Sequence, residues 1–491
     1  MEQSLYEELI RYSKTEVYPF HMPGHKRRLG GFADPFSFDI TEIEGFDNLH
    51  HAEGILLKAQ QRAADLFGAE ETHFLVNGST SGILSAIGAC APKGKLLMTR
   101  NSHKAAYHGL FLNRLEAVYL YPGEGREETE RILSREPQIQ AVYLTAPIYE
   151  GILPDVKGIL EAAHNFGLPV IVDEAHGAHF GMHPIFPPSA VALGADLVIQ
   201  SVHKTLPSLT QTALLHVNGS LVDRRRLCQM LGVYQSSSPS YVLMASIDRC
   251  VGLLKERGTA LFDTFARELI DFYGRMKGLR HLCLLKNQDP SKILICGRKK
   301  GLTGRDIGRF LRQEYHLELE METRDYALAL ASVGDSPEGF RRLGDGILDL
   351  DSRLGSGTYQ AKGERCHAAF APGEGFRKDT EASGGKALDE MAEQSGGLEG
   401  PGTSFVLNNE AVMTIWEADQ SPKRQVALED SEGSICGEYL YLYPPGVPLA
   451  VPGERISREL LEKVLQYRDM DWYLQGLEDP KMEKIWVAAN E

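Results

Sequence analysis

Short apolar runs alternate with helical segments across the first half of the chain. The runs lack the alternation of apolar and polar residues that marks a strand with one wet face, so they predict strands buried on both faces, as in a parallel sheet. They are HFLV (73–76), KLLM (95–98), AVYLTA (141–146), PVIVDEA (169–175) and DLVIQSV (196–202). Helical patterns lie between them, for example over Ser81–Cys90 and Asp155–Phe166. This alternation predicts a doubly wound α/β domain, which we place at residues 51–265.

The pattern changes on either side of this domain. Residues 1–50 form a lead-in rich in His, Phe and Gly, and its first residues, MEQSLYEELIRYSK, predict a short amphipathic helix. The segments 266–354 and 406–491 have mixed strand and helix character, and we predict that they form one small α+β domain. Residues 355–405 contain 11 of the 49 glycines and few large apolar side chains, which predicts a flexible insert.

Composition and charge narrow the possible functions. The 491 residues carry a formal net charge of −15, which argues against a protein that coats nucleic acid. No apolar run approaches the roughly 18 residues that span a bilayer, and the N-terminus lacks the apolar core of a signal peptide. The seven cysteines are scattered without a CxxC pair, which argues against a disulfide framework and a zinc knuckle. We therefore expect a cytoplasmic protein that binds neither nucleic acid nor membrane.

A loop rich in Gly, Ser and Thr, NGSTSG (77–82), follows the first predicted strand and leads into a helix. Backbone N–H groups at a helix N-terminus, with hydroxyls beside them, can form a phosphate site. The hydroxyl residues here are Ser79, Thr80 and Ser81. An ordinary helix N-cap is the alternative, since Ser and Thr are common capping residues. No Gly-Lys-Ser/Thr sequence follows, so this is not a Walker loop.

An acidic residue ends a second buried strand, in VIVDEAHGAH (170–179). Asp173 is expected at the carboxyl edge of the sheet, where α/β folds bind ligands, although a simple N-cap is the alternative. His176 and His179 could join Asp173 around a metal, but a strand end does not present such residues on one face, so we expect no metal site. The DEAH sequence also names a helicase motif, but that interpretation requires a Walker loop.

A lysine follows a third buried strand. The sequence after DLVIQ (196–200) places Ser201, His203 and Lys204 at the predicted sheet edge. A lysine there is commonly a solvated or ion-paired cation. It can also be a Schiff-base amine, a role that suits a lysine whose pKa burial has lowered.

Together the three loops match the requirements of one cofactor, pyridoxal phosphate. It needs a phosphate-binding loop, an acid paired with its pyridine nitrogen and a lysine for its aldehyde. Asp173 and Lys204 lie 31 residues apart, each at the end of its own strand. An ionised Asp173 would keep the ring nitrogen protonated, so that the ring can accept an electron pair from the substrate. His103 is the candidate for a ring stacked on the cofactor, with a surface loop histidine as the alternative.

Longer stretches of the chain resemble a known family. They are PFHMPGHKR (19–27), TEIEGFDNLHHAEGIL (41–56), LVNGSTSG (75–82), RNSHKAAYHG (100–109), VDEAHGAHFG (172–181), SVHKTLPSLTQTALLHV (201–217), SSSPSYVLMASID (236–248) and YPPGVPLAVPGERI (443–456). The chain resembles the fold-type-I, pyridoxal-phosphate-dependent Orn/Lys/Arg decarboxylases. Within them it is most similar to the short bacterial branch that lacks the N-terminal wing domain. The insert at 355–405 has no counterpart in this resemblance.

The resemblance implies roles for individual residues. Lys204 would form the Schiff base, Asp173 would bind the pyridine nitrogen and His103 would stack on the ring. Ala175 would lie against the other face of the ring. The phosphate would be held by Ser79, Thr80, Ser81, Ser201 and His203, together with Ser236 of the partner subunit.

The resemblance also bears on the HMPGH stretch, Glu454 and His176. The HMPGH stretch at 21–25 would line the entrance of the site, and Glu454 would lie near the cleft. His176 stands where larger members can carry an aromatic residue. Its role as ring contact, proton relay or structural residue stays open.

The implied activity is decarboxylation of arginine, lysine or ornithine to the amine and CO2, for polyamine biosynthesis. The implied assembly is a homodimer or larger homo-oligomer with its sites at the subunit interface. An aminotransferase or α-oxoamine synthase of the same fold is one alternative. A catalytically idle homologue acting as a scaffold is the other, and the complete set of Lys204, Asp173 and His103 argues against it. The sequence does not choose among the three amino acids.

Overall fold

The computed structural model describes residues 5–29, 33–297, 300–359, 406–443, 446–470, 472 and 474–489. From residue 360 onwards, the insert predicted at 355–405 lies outside the described residues. Within the described ranges, no helix has both the length and the apolar character needed to cross a membrane.

Strand pairing joins the lead-in to the C-terminal half of the chain. It contains helix α1 (Leu5–Ser13), strand β1 (Tyr18–Phe20) and a 3-10 turn (Pro35–Ser37). Strand β1 pairs in parallel with Leu317–Leu319, so the lead-in is tied to a distant part of the chain.

A seven-stranded sheet forms the centre of the large domain. Its strands are β2 (Glu71–Leu75), β3 (Lys95–Thr99), β4 (Glu116–Leu120), β5 (Ile139–Thr145), β6 (Val170–Asp173), β7 (Leu197–Gln200) and β8 (Ala213–Val217). The spatial order is β2-β8-β7-β6-β5-β3-β4. Among these seven strands only β8 runs opposite to the others, because it is antiparallel to both of its neighbours.

Helices cover both faces of this sheet. They are α2 (Ile55–Phe67), α3 (Gly78–Cys90), α4 (Lys104–Asn113), α5 (Arg126–Arg135), α6 (Val156–Asn165), α7 (Val202–Thr205), α8 (Arg224–Tyr234) and α9 (Tyr241–Met276). Within β6, Ile171 packs in the apolar cluster of α3, α4 and α8, whereas Val170 and Val172 pack in that of α5 and α6. Burial on both faces explains the continuous apolar runs of the sequence. The predicted fold class, α/β with a mostly parallel sheet, is confirmed.

The chain after α9 forms a four-stranded antiparallel sheet with two helices. Its elements are β9 (Cys283–Leu285), β10 (Lys292–Cys296), α10 (Gly304–Tyr315), β11 (Leu317–Leu319), β12 (Met321–Glu322), β13 (Ala327–Leu330) and α11 (Pro337–Ser356). The sheet order is β12-β13-β10-β9, and β11 pairs instead with β1. Apolar residues of α9, α10 and α11 pack in one cluster with those of β10.

The described part of 406–489 has its own strands and apolar cluster. Its elements are α12 (Ile415–Gln420), β14 (Lys423–Ala427), a 3-10 turn (Leu428–Asp430), β15 (Ile435–Cys436), β16 (Leu440–Tyr441), β17 (Pro448–Ala450), α13 (Arg458–Asp469) and β18 (Lys484–Ala488). Strands β14, β18 and β15 form one sheet, while β16 pairs with β17. The small domain that we propose for 266–354 and 406–491 thus contains more than one sheet and more than one apolar cluster.

The strand directions bring the predicted site loops to one edge of the main sheet. Strands β2, β3, β6 and β7 all end at this edge, because β2 and β7 are both antiparallel to β8 and the others are parallel to β7 through their neighbours. The Gly/Ser/Thr sequence, His103 and Lys204 follow three of these strands, and Asp173 is the last residue of β6. Residues far apart in the chain are therefore gathered at the carboxyl edge, where ligands bind in such folds.

Candidate active site

Lys204 lies in the single turn of α7, directly after the central strand β7. Its Nζ atom is 2.9 Å from Nε2 of His176. Removal of the amine from bulk water lowers the pKa of Lys204, while the negative charges of Asp173 and Glu320 act in the opposite direction. A lysine with a lowered pKa has more of its amine in the neutral, nucleophilic form.

Asp173 is the last residue of β6 and is almost fully buried. Tyr143 donates its hydroxyl proton to Oδ2 at 3.1 Å, and the Ala175 amide donates to Oδ1 at 3.1 Å. Burial raises the pKa of Asp173, and the charge of Lys204 opposes that shift. The carboxyl group is thus fixed in orientation and close enough to Lys204 for their charges to interact. A bound cation at Asp173 would favour its ionised form.

His103 caps the N-terminus of α4 through its ring. Its Nδ1 atom accepts a hydrogen bond from the Ala105 amide at 3.2 Å, which leaves the proton of the neutral ring on Nε2. Burial lowers the pKa of His103 to about 3, with a further contribution from the charge of Lys204. The imidazole is therefore neutral near pH 7, as a ring that stacks on a cofactor can be.

His176 links Lys204 to an aromatic residue and a carboxylate. Its ring centroid lies 4.5 Å from that of Tyr149, whose hydroxyl donates to Glu320. Burial, followed by the charge of Lys204, holds the pKa of His176 well below its ordinary value. Its Nδ1 atom is buried and has no hydrogen-bond partner among the described residues. His179, by contrast, donates to Asp289 at 3.1 Å, so the two histidines have different partners.

The predicted phosphate residues fall into two groups at the sheet edge. Ser79, Thr80 and Ser81 form the first turn of α3, where Ser81 donates to the Gly78 carbonyl at 2.8 Å. Ser201 is fully buried beside Lys204, and its hydroxyl has no hydrogen-bond partner among the described residues. His203 Nδ1 lies 2.8 Å from the Thr212 carbonyl oxygen, and burial lowers its pKa to about 4.

Ser236 is exposed and lies beside the N-terminus of α3 in its own chain. Its amide donates to Asn77 Oδ1 at 3.0 Å, and its hydroxyl donates to the Ser238 carbonyl at 3.2 Å. The predicted contact with a phosphate in another subunit stays a prediction. Ala175 is buried next to Asp173.

The HMPGH stretch lies against the turn that carries Lys204. The Gly24 amide donates to the His203 carbonyl at 2.8 Å. A Cβ atom at Gly24 would lie 2.8 Å from the Thr205 carbonyl carbon, so the close approach requires glycine. Two residues earlier, the Met22 amide donates to Glu320 at 2.8 Å.

Comparison with known families identifies the chain. The family model for the major domain of Orn/Lys/Arg decarboxylase matches residues 3–299, and the model for its C-terminal domain matches residues 404–477.

The chain belongs to the Orn/Lys/Arg decarboxylase family.

Individual relatives agree with this assignment. The arginine decarboxylase of Bacillus subtilis (strain 168) is 28% identical over 523 residues, covering 100% of this chain and 98% of that protein. The solved lysine decarboxylase LdcF of Francisella novicida superposes with a TM-score of 0.74 at 18% identity, over 99% of this chain and 80% of that one. A solved structure of SPT with PLP gives a TM-score of 0.54 at 15% identity, over 69% of this chain and 89% of that one. The predicted family, cofactor and enzyme class are confirmed.

Pyridoxal phosphate fits the residues present in this decarboxylase. Lys204 offers an amine with a lowered pKa, Asp173 offers a fixed carboxyl group, and Ser201 offers a buried hydroxyl without a partner in the described part of the chain. This donor set matches an aldehyde, a pyridine nitrogen and a phosphate, respectively.

Four residues of the candidate site were not predicted from the sequence. Tyr143 lies on β5, whose Thr145 pairs in register with Asp173, so a tyrosine in the neighbouring buried strand was a usable signal. Tyr149 and Glu320 are 171 residues apart and have no local motif. Lys292 on β10 is fully buried, and its charge lowers the pKa of His176, which places it near the site.

Proposed function

We propose that this decarboxylase, which acts on a basic amino acid, converts arginine to agmatine and CO2. The observation that carries the proposal is the meeting of Lys204 and Asp173 at one sheet edge, where each shifts the pKa of the other. The choice of arginine is supported by the Bacillus subtilis relative, which is matched over nearly its whole length and is named an arginine decarboxylase.

When bound, pyridoxal phosphate supplies a protonated ring that takes the electron pair left on the α-carbon as CO2 departs. Lys204 would hold the cofactor by its amine and give way to the α-amine of the substrate. Asp173 would keep a proton on the pyridine nitrogen, aligned by Tyr143 and the Ala175 amide. His103, neutral and fixed at the start of α4, would orient one face of the ring, with Ala175 on the other.

We assign the phosphate to the residues around α3 and α7. The hydroxyl of Ser201 and the N-terminus of α3 are the chief donors. The full set is Ser79, Thr80, Ser81, Ser201 and His203, with Ser236 of the partner subunit.

His176 and Lys204 would hold and transfer the proton that the α-carbon receives. The 2.9 Å separation of Lys204 Nζ and His176 Nε2 allows a proton to be held between them. Because His176 is neutral, it can accept a hydrogen bond from the lysine and keep it oriented. This gives His176 the role of proton relay that the sequence left open.

Glu320 is our candidate for the group that meets the cationic end of the substrate. Its negative charge acts on Lys204, and its oxygens are held by the Tyr149 hydroxyl and the Met22 amide. A fixed carboxylate near the lysine suits a guanidinium, which binds carboxylates through two parallel hydrogen bonds.

The test is a panel of arginine, lysine and ornithine with the purified, cofactor-loaded protein. We expect agmatine and CO2 from arginine at the highest kcat/KM. Keto acid without CO2 would indicate an aminotransferase. Absence of both product and visible cofactor absorbance would indicate an idle homologue.

The wider setting follows from the same proposal. Agmatine would enter polyamine biosynthesis in the cytoplasm. We further propose a homodimer, and the exposed apolar side chains of Phe36, Ile43 and Phe46 are compatible with an interface between subunits.

A further inference from the structure

A buried ion pair joins the loop of His103 to the C-terminal segment, by which we mean the described part of 406–489. Arg100 follows β3 and Glu454 lies after β17, and both side chains are almost fully buried. Arg100 Nη2 lies 3.1 Å from Glu454 Oε2. Taking two charges out of water can cost as much as their attraction returns, so a buried pair is weak evidence for stability alone.

Arg100 binds backbone carbonyls of the same C-terminal segment. Its guanidinium donates to the Pro448 oxygen at 3.0 Å and to the Leu449 oxygen at 3.2 Å. It also donates to the hydroxyl of Tyr107 at 2.7 Å, in the helix that His103 caps. The planar guanidinium therefore fixes strand β17 relative to helix α4.

Glu454 is held from the other side. The Asn409 side chain donates to Oε2 at 2.9 Å, and the Val451 amide donates to the same oxygen at 3.2 Å. Asn409 also donates to the Leu449 carbonyl at 2.8 Å. The carboxylate is thus fixed in a network that encloses the chain from 448 to 454.

The chain just before this network packs on His103. The Lys104 amide donates to the Gly446 carbonyl at 3.0 Å. Gly446 has a φ of +81°, and a Cβ atom there would lie 3.2 Å from both Nε2 and Cδ2 of His103. The backbone of the C-terminal segment therefore lies directly against the imidazole, at a distance and with a φ that favour glycine.

We propose that Arg100 and Glu454 are positioning residues of the decarboxylase. They hold residues 446–454 against His103, so that its ring keeps the orientation it needs over the cofactor. The inference rests on the proposed role of His103, which His103→Ala tests on its own.

The test is the double variant R100M/E454L, alone and combined with H103A. Two apolar side chains of similar size remove the directed hydrogen bonds without leaving an unpaired buried charge. We expect kcat to fall about tenfold or more when His103 is present, and the visible circular dichroism of bound pyridoxal phosphate to change. In the H103A background the further loss should be less than about twofold, because the pair acts through that ring.

The matched control is R455M/E410L. This neighbouring ion pair, with Arg455 Nε 2.6 Å from Glu410 Oε2, is exposed and lies within the C-terminal segment. It should leave kcat and the cofactor spectrum unchanged.

Each other result has a definite meaning. The inference is overturned if R100M/E454L keeps the wild-type kcat and cofactor spectrum. It is also overturned if the double variant lowers kcat by the same factor with His103 present and in the H103A background. In both cases the role of His103 stands. If H103A alone has no effect, the proposed role of His103 fails and the inference fails with it. If R100M/E454L does not fold, E454Q must show the same dependence on His103, and an equal loss in both backgrounds overturns the inference.

Discussion

Three histidines around Lys204 are held uncharged by their surroundings. Burial lowers the pKa of His103 to about 3 and that of His203 to about 4, and it holds the pKa of His176 well below its ordinary value. The charge of Lys204 adds to each shift. Neutral imidazoles can stack on a ring or accept a hydrogen bond, so the site near pH 7 does not depend on a histidine cation.

The carboxylate of Asp173 should be essential for turnover. Asp173→Asn keeps the size of the side chain and one oxygen for the Ala175 amide, but it cannot hold the pyridine nitrogen protonated. We expect kcat with arginine to fall about 100-fold or more. Asp196→Asn is a matched control, because Asp196 is also buried but lies beside the start of β7, at the opposite sheet edge. Equal activity of D173N and wild type would contradict the assignment.

Glu174 should make stability depend on pH. Burial raises its pKa to about 7, although the Ala190 amide, Gln200 and Ser189 bind its carboxyl group. A raised folded-state pKa gives stability that is present below the unfolded pKa and is lost as pH rises through the folded one. Relative to Glu174→Gln, the free energy of unfolding of the wild type should fall by about 3 kcal/mol between about pH 4 and about pH 8. The measurement is the difference in thermal midpoint between the two proteins across that range, and a constant difference would contradict it.

Site residues at or just after the end of a strand could be predicted from the local sequence. Site residues that the fold brings in from elsewhere in the chain could not. Asp173 lies at the end of a recognisable apolar strand and Lys204 follows another, so their shared edge could be predicted. Tyr149 and Glu320 meet across 171 residues, and Glu320 directly follows β11, which pairs with the lead-in. No pattern within either segment indicates that meeting.

At the scale of elements, the site depends on the short helix α7 and what packs on it. The lead-in pairs with β11 through β1 and contacts α7 through Gly24, whose carbonyl accepts from the Ser332 hydroxyl at 2.6 Å. The turn that carries Lys204 is thus enclosed by chain from both halves of the molecule.

Gly24→Ala should loosen this enclosure. The new Cβ atom would meet backbone atoms of Thr205 and Leu206 at 2.8–2.9 Å, which cannot move aside as a flexible side chain can. We expect the free energy of unfolding to fall by about 1–3 kcal/mol and the cofactor to dissociate faster. Gly252→Ala in α9, where nothing lies within 4 Å of the new atom, should be neutral or stabilising by up to about 1 kcal/mol. Unchanged melting and cofactor retention in G24A would contradict this expectation.

Two strands of the main sheet, β4 and β8, were not predicted from the sequence. Strand β4 (EAVYL) does contain the apolar run AVYL, but it lies at the edge of the sheet, where only Leu120 is buried and Glu116 is exposed. Strand β8 is fully buried but contains His216, which is satisfied by Thr72 at 2.8 Å and Gln200 at 3.1 Å. A polar residue whose partners come from neighbouring strands is not recognisable as buried from its own segment.

At the scale of the whole molecule, the proposed site combines residues of two subunits. Ser236 is exposed and lies beside the N-terminus of α3 in its own chain, a position compatible with a surface that a second copy covers. Closed two-fold symmetry would give each dimer two equivalent sites.

Complementation between inactive variants tests this arrangement. Lys204→Ala removes the amine, and Ser236→Asp places a negative charge where we expect a phosphate. A heterodimer of the two has one site with both Lys204 and Ser236 intact only if these residues come from different chains. We expect about half of the wild-type activity per dimer. A purified heterodimer as inactive as either homodimer would place both residues in one site of a single chain.

We propose above all that Lys204 is the residue that holds the cofactor. Borohydride reduction of the loaded protein, followed by mass spectrometry of its peptides, tests it directly because reduction fixes the cofactor to its lysine. The label should be found on Lys204. Lys292 is the alternative lysine for cofactor attachment, because it too is buried near the site and burial lowers its pKa to about 8. A label on Lys292, or no label on any lysine, would contradict the account.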